Sequence, residues 1–192
     1  MAIELAQTNF TVVYDASVLY PAPLRDLLMW VAIKGLVRAK WTDEIQEEWL
    51  RNLLERRPDL DEHRLRRTQA LMNRALPDAR VTGHEPLIAA LELPDPGDRH
   101  VLAAAIRAGA QTIVTENIRH FPVAALAEYG IDAERPDPFL LGLLDTDQHL
   151  FLQAVRAQLE TLTNPPQTKD QLLDTLRGGG LVQTVGALRP ML

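Results

Sequence analysis

The 192 residues contain no cysteine. That excludes a disulfide framework and any thiolate metal site, and it fits a reducing interior. No run of about 18 apolar residues occurs, so no membrane span is expected. The start, MAIELAQTNF, has neither the basic n-region nor the long apolar h-region of a signal peptide, which leaves the cytoplasm as the default location. Positive charge is scarce: 20 Lys and Arg against 26 Asp and Glu give a net charge of −6, which argues against a general nucleic-acid binder. There is no HExxH-like histidine spacing, no repeat at a solenoid period and no long low-complexity segment. What remains is a chain with 46% apolar residues, enough to bury a sizeable core in one domain with a little left over.

The pattern along the chain alternates. Phe10 to Tyr14, FTVVY, is a β-branched and aromatic run that reads as a buried strand ending at Asp15. Leu24 to Ile33 has helical length and spacing, with Gly35 at the C-terminal glycine position. Leu36 to Trp41 reads as a second strand. Thr42 then caps a helix through Leu54, with Asp43 and Glu44 in its first turn, where the helix dipole favours acids. A further helix covers Asp61 to Leu76, Ala79 to Thr82 reads as a weak third strand, and His84 to Leu91 as a short helix. In LPDPGDRHVLAAAIRAGA, Asp95 is a cap with Pro96 at the first helical position. Asp98 to Ala108 is the helix, and its alanines allow close approach to a sheet. Gln111 to Thr115 is a fourth strand, Phe121 to Tyr129 a helix closed by Gly130, and Ile131 to Ala133 a fifth strand. From Pro136 onward the pattern is helical, over Asp137 to Leu144, Asp147 to Leu162 and Lys169 to Leu176, with Asn164-Pro165-Pro166 and Gly178-Gly179-Gly180 as punctuation.

Strands alternating with helices imply a parallel sheet covered on both faces, and ligands of such sheets bind beyond the carboxyl ends of the strands. Asp15 stands at one such end, and Thr115, Glu116 and Asn117 at another. Glu44 and Glu48 share a helix face, four residues apart, and Asp98 opens a later helix. Each has a bland reading by itself: a turn residue, a solvated helix face, a dipole partner. Converging at one sheet edge, carboxylates without thiolates suit hard cations such as Mg²⁺ or Mn²⁺, and they repel one another unless a cation sits between them. Phosphoryl transfer is the chemistry such sites usually serve. Six of the 20 basic residues, Arg51, Arg56, Arg57, Arg64, Arg66 and Arg67, fall within 17 positions. Glu55, Asp59, Asp61 and Glu62 partly neutralise them. They read as a solvated helix face that can also hold phosphates.

Four segments in order resemble the PIN-domain family of VapC-type toxins: VVYDASVLYPAPLRDLL, WTDEIQEEWLRNLL, LPDPGDRHVLAAAIRAGA and IVTENIRHFP. GIDAERPDPFL resembles the ending of a subgroup. The resemblance puts the family's first metal aspartate on Asp15, its glutamate on Glu48 with Glu44 as runner-up, and its third acid on Asp98. Asn117 supports the metal. Ser17 orients Asp15 from outside the ligand shell, with Thr115 and His120 beside it. The fourth segment departs from the family pattern Thr-x-Asn-x-x-Asp-Phe-Pro, because His120 stands at the acid, and Gly97 stands where many relatives have Asp. Such a change weakens or removes a metal site, or makes His120 a ligand or a phosphate contact.

The resulting expectation is a three-layer α/β/α PIN-like domain over residues 8–135 with a helical extension over 136–192. Its expected function is that of an Mg²⁺- or Mn²⁺-dependent endoribonuclease, the toxin of a toxin–antitoxin pair. Asp15, Glu48 and Asp98 are the catalytic and metal residues, and Arg51, Arg56, Arg57 and Arg99 the candidates for RNA contact. The resemblance further implies a small antitoxin partner and a homodimer. The alternative is a non-catalytic or weakly active PIN-like binding module, favoured by His120 and Gly97. A phosphatase with Asp15 as nucleophile is disfavoured, since the second Asp that haloacid-dehalogenase-like chemistry needs is replaced by Ser17.

Overall fold

The computed structural model describes residues 10–192. The N-terminal stretch read for a signal peptide and the first two residues of the expected 8–135 domain lie outside the described residues. Four parallel strands form the sheet: β1 (Thr11–Tyr14), β2 (Arg38–Lys40), β3 (Thr112–Val114) and β4 (Asp132–Glu134), in the order β2-β1-β3-β4. β1 is central and buried along its whole length, pairing Val13 with Lys40 on one side and Ile113 on the other. A parallel strand buried on both faces needs a continuous apolar run, and the TVVY segment supplies it.

Helices flank the sheet on both sides, as the alternation predicts. After β1 come α1 (Ala16–Leu19) and α2 (Ala22–Ile33); after β2 come α3 (Asp43–Arg56) and α4 (Glu62–Ala75). The short α5 (Glu85–Ile88) precedes α6 (Arg99–Ala108), and α7 (Val123–Leu126) lies between β3 and β4. The local signals act as their chemistry requires. Thr42 accepts from the Ile45 N–H and caps α3; Asp61 accepts from the His63 N–H and caps α4. Gly109 ends α6 in the left-handed region at φ 62°, and the Ala110 N–H reaches back to the Ala105 carbonyl. Ala103, Ala104 and Ala105 are fully buried, which lets α6 lie close on β1 and β3.

Two expected elements change. Ala79 to Thr82 is not a strand: it makes a single bridge, Trp41 with Arg80. The Trp41 N–H donates to the Ala79 carbonyl and the Val81 N–H to the Trp41 carbonyl. The next residue, Thr42, already caps α3, so no extended partner remains to pair with. Ile131 to Ala133 therefore opens the fourth strand rather than the fifth. The helix expected over Phe121 to Tyr129 is broken into α7 and a 3₁₀ turn at Ala127–Tyr129.

The tail folds as α8 (Pro136–Thr146), α9 (Gln148–Thr161), α10 (Lys169–Gly178) and α11 (Val182–Leu188). The first three follow the pattern, and Thr168 with Gln171 forms a capping box at α10. α11 lies past the triple glycine and is an addition. Its start is capped from a distance: Asp137 on α8 accepts from the Gln183 and Thr184 N–H groups and from the Thr184 hydroxyl. Burial pushes the Asp137 carboxyl up, but the hydrogen bonds from Thr184, Gln183 and Val182 outweigh it and hold it below the usual range. A depressed acid stabilises the fold above its unfolded value and loses that stabilisation as pH falls through the folded one. Asp137→Asn is expected to cost about 1–2 kcal/mol at neutral pH, as lost caps do. The gap from wild type should close as urea melts are taken below roughly pH 4, the unfolded carboxyl value. The tail's apolar residues share one core with the sheet: Phe139 packs edge-on to Tyr14 at 6.5 Å, and Gln158 donates to the Pro23 carbonyl. Among the described residues no helix is long and apolar enough to cross a membrane.

Candidate active site

The carboxyl ends of β1 and β3 meet side by side, since the Asp15 N–H donates to the Val114 carbonyl. Asp15 leaves β1 as the cap of α1 and is 2% exposed. Its Oδ1 accepts from the Ala16 N–H at 2.8 Å. Its Oδ2 accepts from the Ser17 hydroxyl at 2.6 Å and from the Thr115 hydroxyl at 2.7 Å. Thr115 follows β3 and in turn accepts from the Asn117 N–H, while Ser17 accepts from the Glu116 N–H. These contacts tie the first acidic segment to the fourth. Asn117 is exposed and enters through its backbone.

Asp98 faces the same region from the turn before α6. Asp95 caps that turn by accepting from the Gly97 N–H, and Asp98 is left buried. Burial raises the Asp98 carboxyl, and the negative fields of Asp15 and Asp95 add to this; the hydrogen bond with His120 opposes it. Asp15 and Asp98, far apart in sequence, are thus electrostatically coupled. His120 Nδ1 lies 2.7 Å from Asp98 Oδ2.

α3 contributes the third group. Glu48 Oε2 is 3.4 Å from His100 Nε2, and Glu44 Oε2 is 3.7 Å from His100 Nδ1. The Glu48 side chain is half as exposed as that of Glu44, at 29% against 60%, so Glu48 is the inward acid of the pair. His100, in the first turn of α6, joins the two segments. Burial lowers its pKa, but the hydrogen bond to Glu48 and the fields of Glu44, Glu48 and Asp15 prevail and raise it. His100 is not among the site residues that the sequence pattern marks. Its signal lies in the Asp98-Arg99-His100 triplet, but nothing in the spacing indicates that this turn faces α3. Asp95 is likewise more than a cap, since Asp95, Asp98 and His120 each offer a ligand atom within 4.8 Å of the others.

A cleft of about 340 Å³ opens between α3 and this turn, lined by Glu44, Glu47, Glu48, Arg51, Asp95, Gly97, Asp98 and His100. Glu47 and Arg51 also line a hollow of about 450 Å³ that continues between α3 and α4. Of the arginines proposed for RNA, Arg51 lines both. Arg56 lies over the Tyr20 ring, and Arg57 is paired with Asp59. Arg99 is half-buried, with its Nε unpartnered. Arg64 and Arg66 pair with Asp61, Glu47 and Glu62, so much of the basic cluster is a neutralised helix face. Among the described residues no Lys or Arg pairs with Asp15, Glu44, Glu48 or Asp98; the basic side chains beside Glu44, Glu48 and Asp98 are histidines. The donor set is oxygen-rich, thiolate-free and short of balancing positive charge, which fits a divalent cation.

A model described as VapC50 C-terminal domain matches residues 136–190. The curated protein "Putative ribonuclease VapC50" of Mycobacterium tuberculosis (strain ATCC 25618 / H37Rv) is 44% identical over 94 residues, which are 49% of this chain and 55% of that relative. The chain therefore spans about half the length of the curated relative it matches. No solved structure matches it. A PIN-domain model matches residues 11–119, more than half of the chain and a span that includes Asp15, Glu44, Glu48, Asp95 and Asp98, so the protein belongs to the PIN-domain family.

Proposed function

We propose that this protein is a metal-dependent endoribonuclease, the toxin component of a toxin–antitoxin pair, that hydrolyses RNA phosphodiester bonds in the cytoplasm. The observation that carries the reading is the coupling of Asp15, at the end of β1, with Asp98, in the turn before α6, with no Lys or Arg among the described residues paired to either. Residues 8–135 are the nuclease domain and 136–192 its helical extension. Asp15, Glu48 and Asp98 hold an Mg²⁺ or Mn²⁺ ion, with Asn117 in support. Bound there, the ion would supply charge neutralisation at the phosphate and a lowered pKa for a water beside it.

The protein's own groups do the rest. Ser17 and Thr115 donate to one oxygen of Asp15 and fix the carboxylate, as outer hydrogen bonds do for ligands generally. His100 holds Glu48 over the cleft. Arg51 stands where the cleft meets the α3–α4 hollow, placed to meet a phosphate of the strand. The likeness to a protein named as a ribonuclease supports RNA as substrate. A small antitoxin and a second copy of the chain are the proposed partners.

A metal-titrated cleavage assay on structured RNAs tests this. Cleavage should require Mg²⁺ or Mn²⁺ and stop on chelation; RNA binding without cleavage at any metal concentration would leave the binding-module reading, which the His120 contact on Asp98 favours. The two glutamates give a sharper check. Glu48→Gln is expected to lower cleavage by roughly 10²-fold or more, as loss of a ligand charge should. Glu44→Gln, on the more exposed acid, is expected to change it by less than about threefold, since exposed charges contribute little. Equal losses in both would remove the assignment to Glu48.

A further inference from the structure

The cleft carries nitrogen as well as oxygen. His120 Nδ1 lies 2.7 Å from Asp98 Oδ2 and 3.9 Å from Asp95 Oδ2. We propose that Asp95, Asp98 and His120 form a mixed nitrogen–oxygen site that takes a borderline divalent transition-metal ion, of the Mn²⁺, Co²⁺ and Zn²⁺ class, in preference to Mg²⁺. This rests on the reading of the cleft as the metal-binding cleft of a nuclease, and it names the class of ion.

Three features support it. The first is placement. The ligand atoms of the three residues fall within 4.8 Å of one another. Asp98 Oδ2 and His120 Nδ1, 2.7 Å apart, are close enough for one cation to bond to both. Asp95 divides its work: Oδ1 accepts from the Gly97 N–H, and Oδ2 is the oxygen turned toward His120. Gly97 makes room for this, since a Cβ there would come within 3.1 Å of Asp95 Oδ1.

The second is an unsatisfied group. His100 is 95% buried, lines the same cleft, and its Nδ1 has no hydrogen-bond partner; Glu44 Oε2, at 3.7 Å, is too far. Buried polar atoms are rarely left so. An unpaired nitrogen beside a group of acids points to a species the cleft takes up. The third is donor chemistry. Imidazole nitrogen is a poor partner for Mg²⁺, which demands hard oxygen in near-ideal octahedra. It suits Mn²⁺, Co²⁺ and Zn²⁺ increasingly well along the series. The rival account makes the Asp98–His120 contact a plain hydrogen bond whose imidazole, when protonated, meets a phosphate.

Calorimetric titration of the metal-free full chain with Zn²⁺, Co²⁺ and Mg²⁺ separates these, with the visible absorbance of Co²⁺ reporting its ligands. His120→Asn and Asp95→Asn are expected to weaken Zn²⁺ and Co²⁺ at least about tenfold each and to alter the Co²⁺ spectrum. His120→Asp, which restores an oxygen, should narrow the Zn²⁺-over-Mg²⁺ preference by about tenfold or more. Replacing the exposed His63 and His149 should change nothing, and melting curves verify that each variant folds. If Zn²⁺ and Co²⁺ bind His120→Asn as they bind wild type, the proposal is overturned. Mg²⁺-dependent RNA cleavage with that same insensitivity keeps the nuclease reading and rejects this site. Binding that depends on His120, in a protein that cleaves no RNA, keeps the site and rejects the nuclease.

Discussion

Asp15→Asn is expected to lower metal-dependent RNA cleavage by on the order of 10³-fold, about 4 kcal/mol of transition-state stabilisation, while the protein stays folded. The fold should tolerate the change because of how Asp15 is held. An asparagine carbonyl can accept from the Ala16 N–H in place of Oδ1. Its amide then meets the Ser17 and Thr115 hydroxyls, which can rotate to accept instead of donate. What disappears is the charge, and with it part of the repulsion that raises Asp98. The metal-free variant should therefore melt at or slightly above the wild-type temperature. Millimolar Mn²⁺ should raise the melting temperature of wild type, because a ligand of the native state stabilises it by mass action, and should raise that of the variant less. Single-turnover cleavage and paired melts with and without Mn²⁺ measure both. Cleavage retained at the wild-type level would remove Asp15 from the chemistry.

Phe139→Ala carries the largest expected effect on stability, a loss of about 3–5 kcal/mol. Phe139 is 3% exposed and sits where the tail meets the sheet, with its ring 6.3 Å from that of Phe10 and edge-on to Tyr14. Removing it opens a cavity between α8 and β1, the strand that delivers Asp15. Because the tail and the sheet share one apolar core, urea unfolding should remain a single transition shifted to lower denaturant. A separate early transition for the tail, or a loss below about 1 kcal/mol, the ordinary size for a point mutation, would show that the tail is not part of the cooperative unit.

Local chemistry was legible wherever a residue acts on its near neighbours. The buried run at β1 and the cap at Thr42 work within a few positions of themselves. The cap at Asp95 could be read for the same reason, and it released Asp98 for the cleft. The order of the acidic segments pointed to the family, and the alternation of strands and helices to a parallel sheet with its site at the carboxyl ends.

The tertiary structure decided what depends on partners distant in sequence, because such pairing leaves no periodic trace in the chain. Ala79 to Thr82 has strand-like residues, yet makes one bridge because Thr42 turns its partner into α3. α11 is short, contains Gly186 and follows three glycines; its cap comes from Asp137 across the tail. Spacing leaves Glu44 and Glu48 equivalent, since both share a helix face; the structure differs between them only in burying Glu48 more deeply beside His100. His120 could be seen as a departure, but that its imidazole lies on Asp98 beside Asp95 follows only from the turn after β3 packing against the turn before α6. Sequence carried the residues and their local geometry; folding brought four segments into one electrostatic field, and the cleft's chemistry arises from that proximity.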